Sequence, residues 1–492
     1  MALKICFISA EVAPLSKTGG LADVSGSLVK YLHGADHDVR LFTPFYSSID
    51  RAAFAPQPVA GLQKIALEFG AHCYRYSVAR ALLPGSQAPV YLIDCPELYG
   101  RSGIYTVDAD EHLRFIALTR AAFECCQRLG FGPDIVHCND WHAAFGPLFL
   151  KYVYSWDRLF KGTRSVLTVH NIGYQGVFPA SASGDLGLAA DTHLLHQDDL
   201  RAGHINSLKH GILYADAITT VSPTYAREIC TDEYGMGLQT VLRARETALV
   251  GILNGVDYDT WDPRRDHYLR RHYDARHLAN KLVLKTEFLA RLGLTTGPRV
   301  PLCGLISRLT VQKGLDLLFD TLPRVLAARD VAVVALGNGE PPYEDFFRQL
   351  QRDFPGRVHF HYGYSDELAH WIEAASDMFL MPSLYEPCGL NQLYSMRYGT
   401  VPIVRKTGGL ADSVQAYDPA TKQGTGIVFE EFAPLAFEQA LDAALDLYAD
   451  QSHWRQIVRN GMRQDFSWPR QGARYVQLYE KLLSRAGRLN AE

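Results

Sequence analysis

Cysteine is scarce and unpatterned in this sequence: nine among 492 residues, an odd number, with no Cys-x-x-Cys pair. That excludes a disulfide framework and a thiolate metal site as first readings. It leaves reduced, buried thiols such as Cys6, Cys138 and Cys303 in strand-like runs, as expected of a cytoplasmic protein. No apolar run approaches the length of a membrane span, and Leu3 to Ser9 is too short for a signal-peptide core. Charge of one sign is not in excess. A formal net charge of -4 gives no basis for nucleic acid or an anionic membrane as partner. The Walker spacing G-x-x-x-x-G-K is absent. Three Asp-x-Asp pairs (Asp36 and Asp38, Asp108 and Asp110, Asp257 and Asp259) sit in turn-like segments without further ligands. They read as solvated loops, and neither a metal nor any other cofactor is expected.

What is present is a repeat. Lys-Thr-Gly-Gly-Leu-Ala-Asp occupies Lys17 to Asp23 and recurs unchanged from Lys406 to Asp412. Each copy lies between a strand-like and a helix-like run, where backbone N–H groups and a lysine can meet an anion. Around the copies, short apolar runs alternate with longer amphipathic ones, the pattern of parallel α/β domains. Strands are expected at Leu3 to Ser9, Val39 to Thr43, Val90 to Ile93, Ile135 to His137, Ser165 to Val169 and Ala217 to Val221. A helix is expected from Glu111 to Leu129. The alternating Tyr74, Tyr76 and Val78 predict an antiparallel excursion between Leu67 and Asp94.

The pattern restarts at Val300 to Ser307, with a helix from Leu315. Strands follow at Val331 to Leu336, Val358 to His361, Met378 to Pro382 and Val401 to Val404, with helices near Tyr343 to Phe354, at Asp366 to Ala375 and at Leu390 to Tyr398. The reading is α/β: two doubly wound, Rossmann-like domains, residues 1–253 and 254–467. A turn-rich hinge begins at Asn254 and Gly255. Ligands of open α/β sheets bind beyond the carboxyl ends of the strands, so two such domains facing one another make a deep cleft and site residues should follow strands.

They do. Lys17, Gly19 and Gly20 follow the first strand, together with Glu11. Asp140 follows Ile135 to His137, and His170 with Asn171 follows Ser165 to Val169; a His and an Asp there suit sugar hydroxyls or a carbon that becomes cationic. After the restart strand come Arg308 and Lys313, spaced to grip two phosphates of a leaving nucleotide. Glu386 precedes a helix start at which Gly389, Leu390 and Asn391 offer N–H groups to a ligand.

These motifs together resemble the bacterial and plant starch/glycogen synthases, retaining glucosyltransferases of the GT-B fold that use ADP-glucose. The resemblance runs through Lys17 to Val24, Asp140 to His142, Val169 to Asn171, Val221 to Ala226, Leu253 to Asp257, Ser307 to Gly314, Glu386 to Leu390 and Thr407 to Asp412. It implies glucose transfer from ADP-glucose to the non-reducing end of an α-1,4-glucan, with ADP-glucose and glycogen as the partners. It implies that Arg308 and Lys313 hold the diphosphate, completed by Gly19, Gly20, Leu390 and Asn391 with Lys17, Cys388 and Gly389 around the donor. Tyr364 would stack on adenine and Asn254 would contact the nucleotide. His170, Asp140 and Glu386 would contact the donor glucose, and Glu11, Tyr105 and Asn171 the acceptor side. The C-terminal helix, 468–492, would pack back on the first domain.

Two positions depart from the pattern of related enzymes. Tyr394 stands where other retaining transferases often carry a second glutamate, so Glu386 has no carboxylate partner for a glycosidase-like scheme. Asn391 stands where the synthases usually have threonine, which puts a side-chain hydroxyl contact in doubt. A transferase with another donor, such as UDP-glucose, or another acceptor competes with this reading, as does a catalytically silent glucan-binding protein. The second heptapeptide follows a late strand. It is therefore expected to be mainly a tight turn, with Lys313 as the positional counterpart of Lys17.

Overall fold

A computed structural model describes residues 2–489 and divides into two units. The first comprises residues 2–221, 226–255 and 468–489, and the second residues 222–225 and 256–467. Residues 490–492 of the expected last helix lie outside the described residues.

The first unit is built on one twisted sheet. Across it run Leu249–Gly251, Ala217–Thr220, Arg164–Val169, Ile135–Asn139, Lys4–Ile8, Asp38–Pro44, Pro89–Asp94, His72–Leu82 and Gln57–Pro58, with Ile65–Phe69 also pairing with His72–Leu82. The run Ile5, Cys6, Phe7 and Ile8 is fully buried without alternation, because helices cover both faces of a parallel sheet. The excursion is antiparallel, and Ile65, Leu67 and Phe69 turn inward while the residues between them face out. From Lys4–Ile8 the chain steps one way to Asp38–Pro44 and Pro89–Asp94, then returns to the other side at Ile135–Asn139. The order reverses between Lys4–Ile8 and Ile135–Asn139, which opens a crevice at their carboxyl ends.

Helix Trp468–Leu489 completes this unit against helix Gly20–Gly34. A Cβ on Gly472 would lie 2.3 Å from the Tyr31 ring, so the two helices meet where one has no side chain. Tyr479, fully buried, shares a 2.7 Å hydrogen bond with His137 Nδ1, whose Nε2 lies 2.6 Å from Thr168 Oγ1; Thr168 is in turn 2.6 Å from Thr219 Oγ1. This polar chain ties three strands to the helix. Burial pushes His137 down to about 3, so its ring is neutral.

The second unit carries a six-stranded parallel sheet in the order Val358–Tyr362, Ala332–Gly337, Leu302–Ile306, Met378–Met381, Val401–Arg405 and Ile427–Phe429. Its order reverses between Leu302–Ile306 and Met378–Met381. The helix expected from Leu315 begins later, as Leu318–Ala328, after two 3-10 turns hinged at Gly314. Gly314 has φ 63, and a Cβ there would lie 2.1 Å from the Pro382 carbonyl. Backbone contact with the end of the neighbouring strand delays the helix. The short strands Leu249–Gly251 and Ile427–Phe429 went unread because three residues carry no periodicity.

All nine cysteines are free thiols and seven are buried. Among the described residues no helix is long and apolar enough to cross a membrane. One reading needs correction: Asp108 and Asp110 are not merely solvated, since Arg101 donates to both, at 2.9 and 2.6 Å.

Candidate active site

In the first unit the crevice is lined by the loops after Lys4–Ile8, Ile135–Asn139 and Arg164–Val169. Glu11, 3% exposed, organises the first of these. Its Oε2 accepts from the N–H groups of Thr18 at 2.5 Å and Gly19 at 3.2 Å, and its Oε1 from the hydroxyls of Thr18 at 2.7 Å and Tyr105 at 2.5 Å. The Gly19 N–H, expected to meet an anion, is therefore held by a carboxylate of the same loop, as is that of Thr18. Those of Gly20 and Leu21, at the start of the helix, take no acceptor among the described residues. Lys17 Nζ lies 2.8 Å from Asp23 at the surface. Burial and Glu11 hold the Tyr105 hydroxyl protonated, and its ring stacks on His142 at 4.9 Å.

Asp140 is 6% exposed and adopts φ 54, a left-handed conformation that Asp and Asn tolerate better than most residues. Its Oδ1 accepts from the backbone N–H of His170 at 2.7 Å and of Asn171 at 3.4 Å, which brings two strand ends together. Burial raises its carboxyl to about 7 despite those hydrogen bonds. His170, 8% exposed, is pushed down to about 3 by burial and is neutral. Asn171 Oδ1 accepts from the Gly173 N–H at 2.9 Å.

The raised Asp140 value makes a stability prediction. In the unfolded chain the carboxyl ionises near its ordinary value of 3.8, whereas in the fold it stays protonated to about 7. The native state therefore binds the extra proton between those values, and stability falls as pH rises through that window. Asp140→Asn retains the acceptor oxygen and cannot ionise. Thermal melts are expected to show it more stable than the wild type at about pH 8, with the gap closing as pH falls toward about 4. A gap independent of pH would refute the buried-carboxyl assignment.

In the second unit the loops at the order reversal interlock. The Leu384 N–H donates to the Gln312 carbonyl at 3.0 Å. Lys313 Nζ sits 2.6 Å from Glu386 Oε2, which also accepts from Ser383 Oγ at 3.0 Å. The Glu386 side chain is 7% exposed, and its Oε1 takes none of these bonds. Helix Asn391–Tyr398 starts here without a side-chain cap. Among the described residues the N–H groups of Leu390, Asn391 and Gln392 have no acceptor, so the positive helix end stands open beside the Lys313–Glu386 pair. The Asn391 side chain donates to the Ile306 carbonyl at 2.7 Å, a tether to the neighbouring strand end that the sequence did not disclose. Cys388 is buried behind this loop, and Gly389 has φ 70.

The second heptapeptide braces the same loop. The Gly409 N–H donates to the Glu386 carbonyl at 3.0 Å, and a Cβ on Gly409 would lie 2.1 Å from the Cys388 carbonyl. Its backbone differs from the first copy: Gly408 has φ 43 where Gly19 has φ -161. The side chains differ too, since Lys406 pairs with exposed Glu430 at 2.7 Å and Asp412 accepts from the N–H and hydroxyl of Thr224, both at 2.7 Å. Ser222 Oγ, two residues before Thr224, donates to the Pro387 carbonyl at 2.6 Å.

Arg308 is exposed after Leu302–Ile306. Tyr364, 64% exposed, follows Gly363 at the end of Val358–Tyr362, and its hydroxyl donates to Asp366. Asn254 is buried with Oδ1 unpartnered among the described residues, and it belongs to the first unit, not to the second as the sequence division had it.

Two doubly wound units, each with its polar residues at the point where strand order reverses, define a glycosyltransferase of the GT-B class. Residues 4–244 match the family model for the starch synthase catalytic domain, and residues 296–461 that for glycosyl transferases group 1. The chain belongs to the glycogen synthase family. It is 44% identical over 485 residues to a glycogen synthase of Anaeromyxobacter dehalogenans (strain 2CP-1), covering 98% of this chain and 99% of the relative. It is 41% identical over 491 residues to that of Thermotoga maritima, covering 99% and 100%. The solved catalytic domain of starch synthase IV from Arabidopsis thaliana, bound to ADP and acarbose, superposes with a TM-score of 0.91 at 34% identity, over 98% of this chain and 100% of that one.

Proposed function

We propose that the protein transfers glucose from ADP-glucose to the non-reducing end of an α-1,4-glucan such as glycogen, with retention of configuration, in the cytoplasm. The observation that carries this reading is the Lys313–Glu386 pair beside the open N-terminus of helix Asn391–Tyr398. A fixed cation and unpaired amides suit the diphosphate of a leaving nucleotide, and a carboxylate with one oxygen spare suits sugar hydroxyls.

Arg308 and Lys313 stabilise the departing ADP, and the amides of Leu390 and Asn391 complete the anion site. Asp140 and His170 serve the donor glucose, while Tyr364 and Asn254 serve the nucleotide. No metal is required, because these groups meet the phosphate charge. As ADP leaves, the anomeric carbon becomes oxocarbenium-like, so fixed positive charge at the leaving oxygen supplies most of the acceleration. Glu386 lacks a second carboxylate, and Tyr394 cannot supply one. The acceptor hydroxyl therefore attacks from the face that ADP vacates and passes its proton to the leaving phosphate oxygen.

The role of Glu11 is narrower than its sequence position implied. With both oxygens engaged by Thr18, Gly19 and Tyr105, it shapes the loop that meets substrate. Purified protein given glycogen with either ADP-glucose or UDP-glucose tests the proposal. Incorporation from ADP-glucose well above that from UDP-glucose is expected; the reverse order would replace the donor assignment, and no incorporation from either would remove the reaction.

A further inference from the structure

The end of strand Ile135–Asn139 carries a side chain that the proposed reaction leaves unused. Asn139 is 1% exposed. Its Nδ2 donates to the Ile8 carbonyl at 3.0 Å, and its Oδ1 lies 3.0 Å from His170 Nε2. A backbone carbonyl can only accept, which fixes the amide with Nδ2 toward Ile8 and Oδ1 toward the imidazole. An amide oxygen likewise only accepts, so Nε2 must carry the hydrogen.

We propose that Asn139 is a positioning residue that locks His170 as its Nε2–H tautomer, so that the Nδ1 lone pair accepts a hydrogen bond from a hydroxyl of the bound sugar. The inference rests on the sugar-nucleotide reading of the site. Backbone and ring of His170 are held by consecutive residues: Asp140 takes its peptide N–H, and Asn139 takes its ring N–H. A neutral ring with Nδ1 unprotonated cannot donate there, and an imidazolium would donate from both nitrogens. A neutral amide partner fixes the tautomer without attracting a second proton, which an aspartate in its place would do. The titratable groups that act on the ring or on the residue holding its backbone are His137, His142 and Asp140, from the strand and turn that carry Asn139, with Glu11 acting on Asp140.

The test uses the full-length protein labelled with 15N-histidine, with the His170→Gln variant assigning the resonance. In the wild type, His170 is expected to give the neutral Nε2–H pattern. Asn139→Leu is expected to show both tautomers and to lower kcat about 10- to 100-fold at every pH. Asn139→Asp is expected to charge the ring at about pH 6 and to regain turnover as pH rises, because its carboxylate accepts from Nε2–H once the ring is neutral. That recovery is read in turnover, apart from the pH dependence of stability that Asp140 contributes. Thermal melts confirm that each variant is folded. A wild-type Nδ1–H or charged signal overturns the proposal, and so does an Asn139→Asp profile that merely parallels Asn139→Leu. The spectra need no substrate, so a failed ADP-glucose assay overturns the reaction without touching the tautomer.

Discussion

Lys313→Ala is expected to lower turnover from ADP-glucose to glycogen by about 10³-fold while leaving glucan affinity within a small factor. Two effects add. The fixed charge at the leaving phosphate disappears, and Glu386 loses the 2.6 Å partner that orients it, keeping only Ser383. A carboxylate left buried without its cation either moves or takes a proton. A cycle with Glu386→Gln separates the two: if the lysine acts mainly through the glutamate, the double variant is no slower than Glu386→Gln alone. Steady-state kinetics together with a glucan-binding measurement decide the matter. Near-normal turnover in Lys313→Ala would sink the site assignment in the second unit.

Gly409→Ala is expected to be nearly as damaging, although the residue touches no substrate in the proposed scheme. A methyl group would meet Cys388 backbone atoms at 2.1 to 2.5 Å, and these cannot rotate aside as a side chain would. Overpacking of this kind costs about 1–3 kcal/mol. The loop that must shift carries Glu386, and a displacement of about 1 Å there can reduce kcat about 10²-fold. Gly19→Ala, in the first copy, is the control. Its φ of -161 is open to any residue and nothing lies within 4 Å, so stability is expected to change by less than about 0.5 kcal/mol. Melting curves for both variants, with kcat for Gly409→Ala, check the contrast. If Gly409→Ala melts and turns over like the wild type, the second copy does not brace the loop.

The contrast also marks how far the sequence could be read. The alternation of apolar and amphipathic runs located nearly every long strand, and helix Asp366–Ala375 to the residue, because a strand buried on both faces leaves an unbroken apolar run and a helix buried on one face a periodic stripe. It likewise located Lys313 and Glu386 at strand ends, since the topology of a doubly wound sheet fixes where loops converge. Hydrogen bonds between residues distant in sequence leave no such trace. Glu11 was placed on the acceptor side from its strand-end position, but nothing in the sequence disclosed its hydrogen bonds to Thr18, Gly19 and Tyr105. Asn391 looked like a lost hydroxyl and is a tether to Ile306. Asn139 follows the same expected strand as Asp140 yet was given no role, although the strand-end position that selected Asp140 applied equally to it. Identical heptapeptides were legible as a repeat, but their opposite backbone conformations at Gly19 and Gly408 come from neighbours contributed by other segments.

The first unit is discontinuous along the chain: Tyr475 and Tyr479, which fill its interior beside His137, are encoded after the whole of residues 256–467. During synthesis at about 5–20 residues/s, the ribosome spends about 10–40 s on that intervening stretch while the earlier sheet lacks its closing helix. The unit begun first is therefore finished last. Until then the surface that receives Tyr475 and Tyr479, with the His137 ring at its centre, stands open to water on a nascent chain.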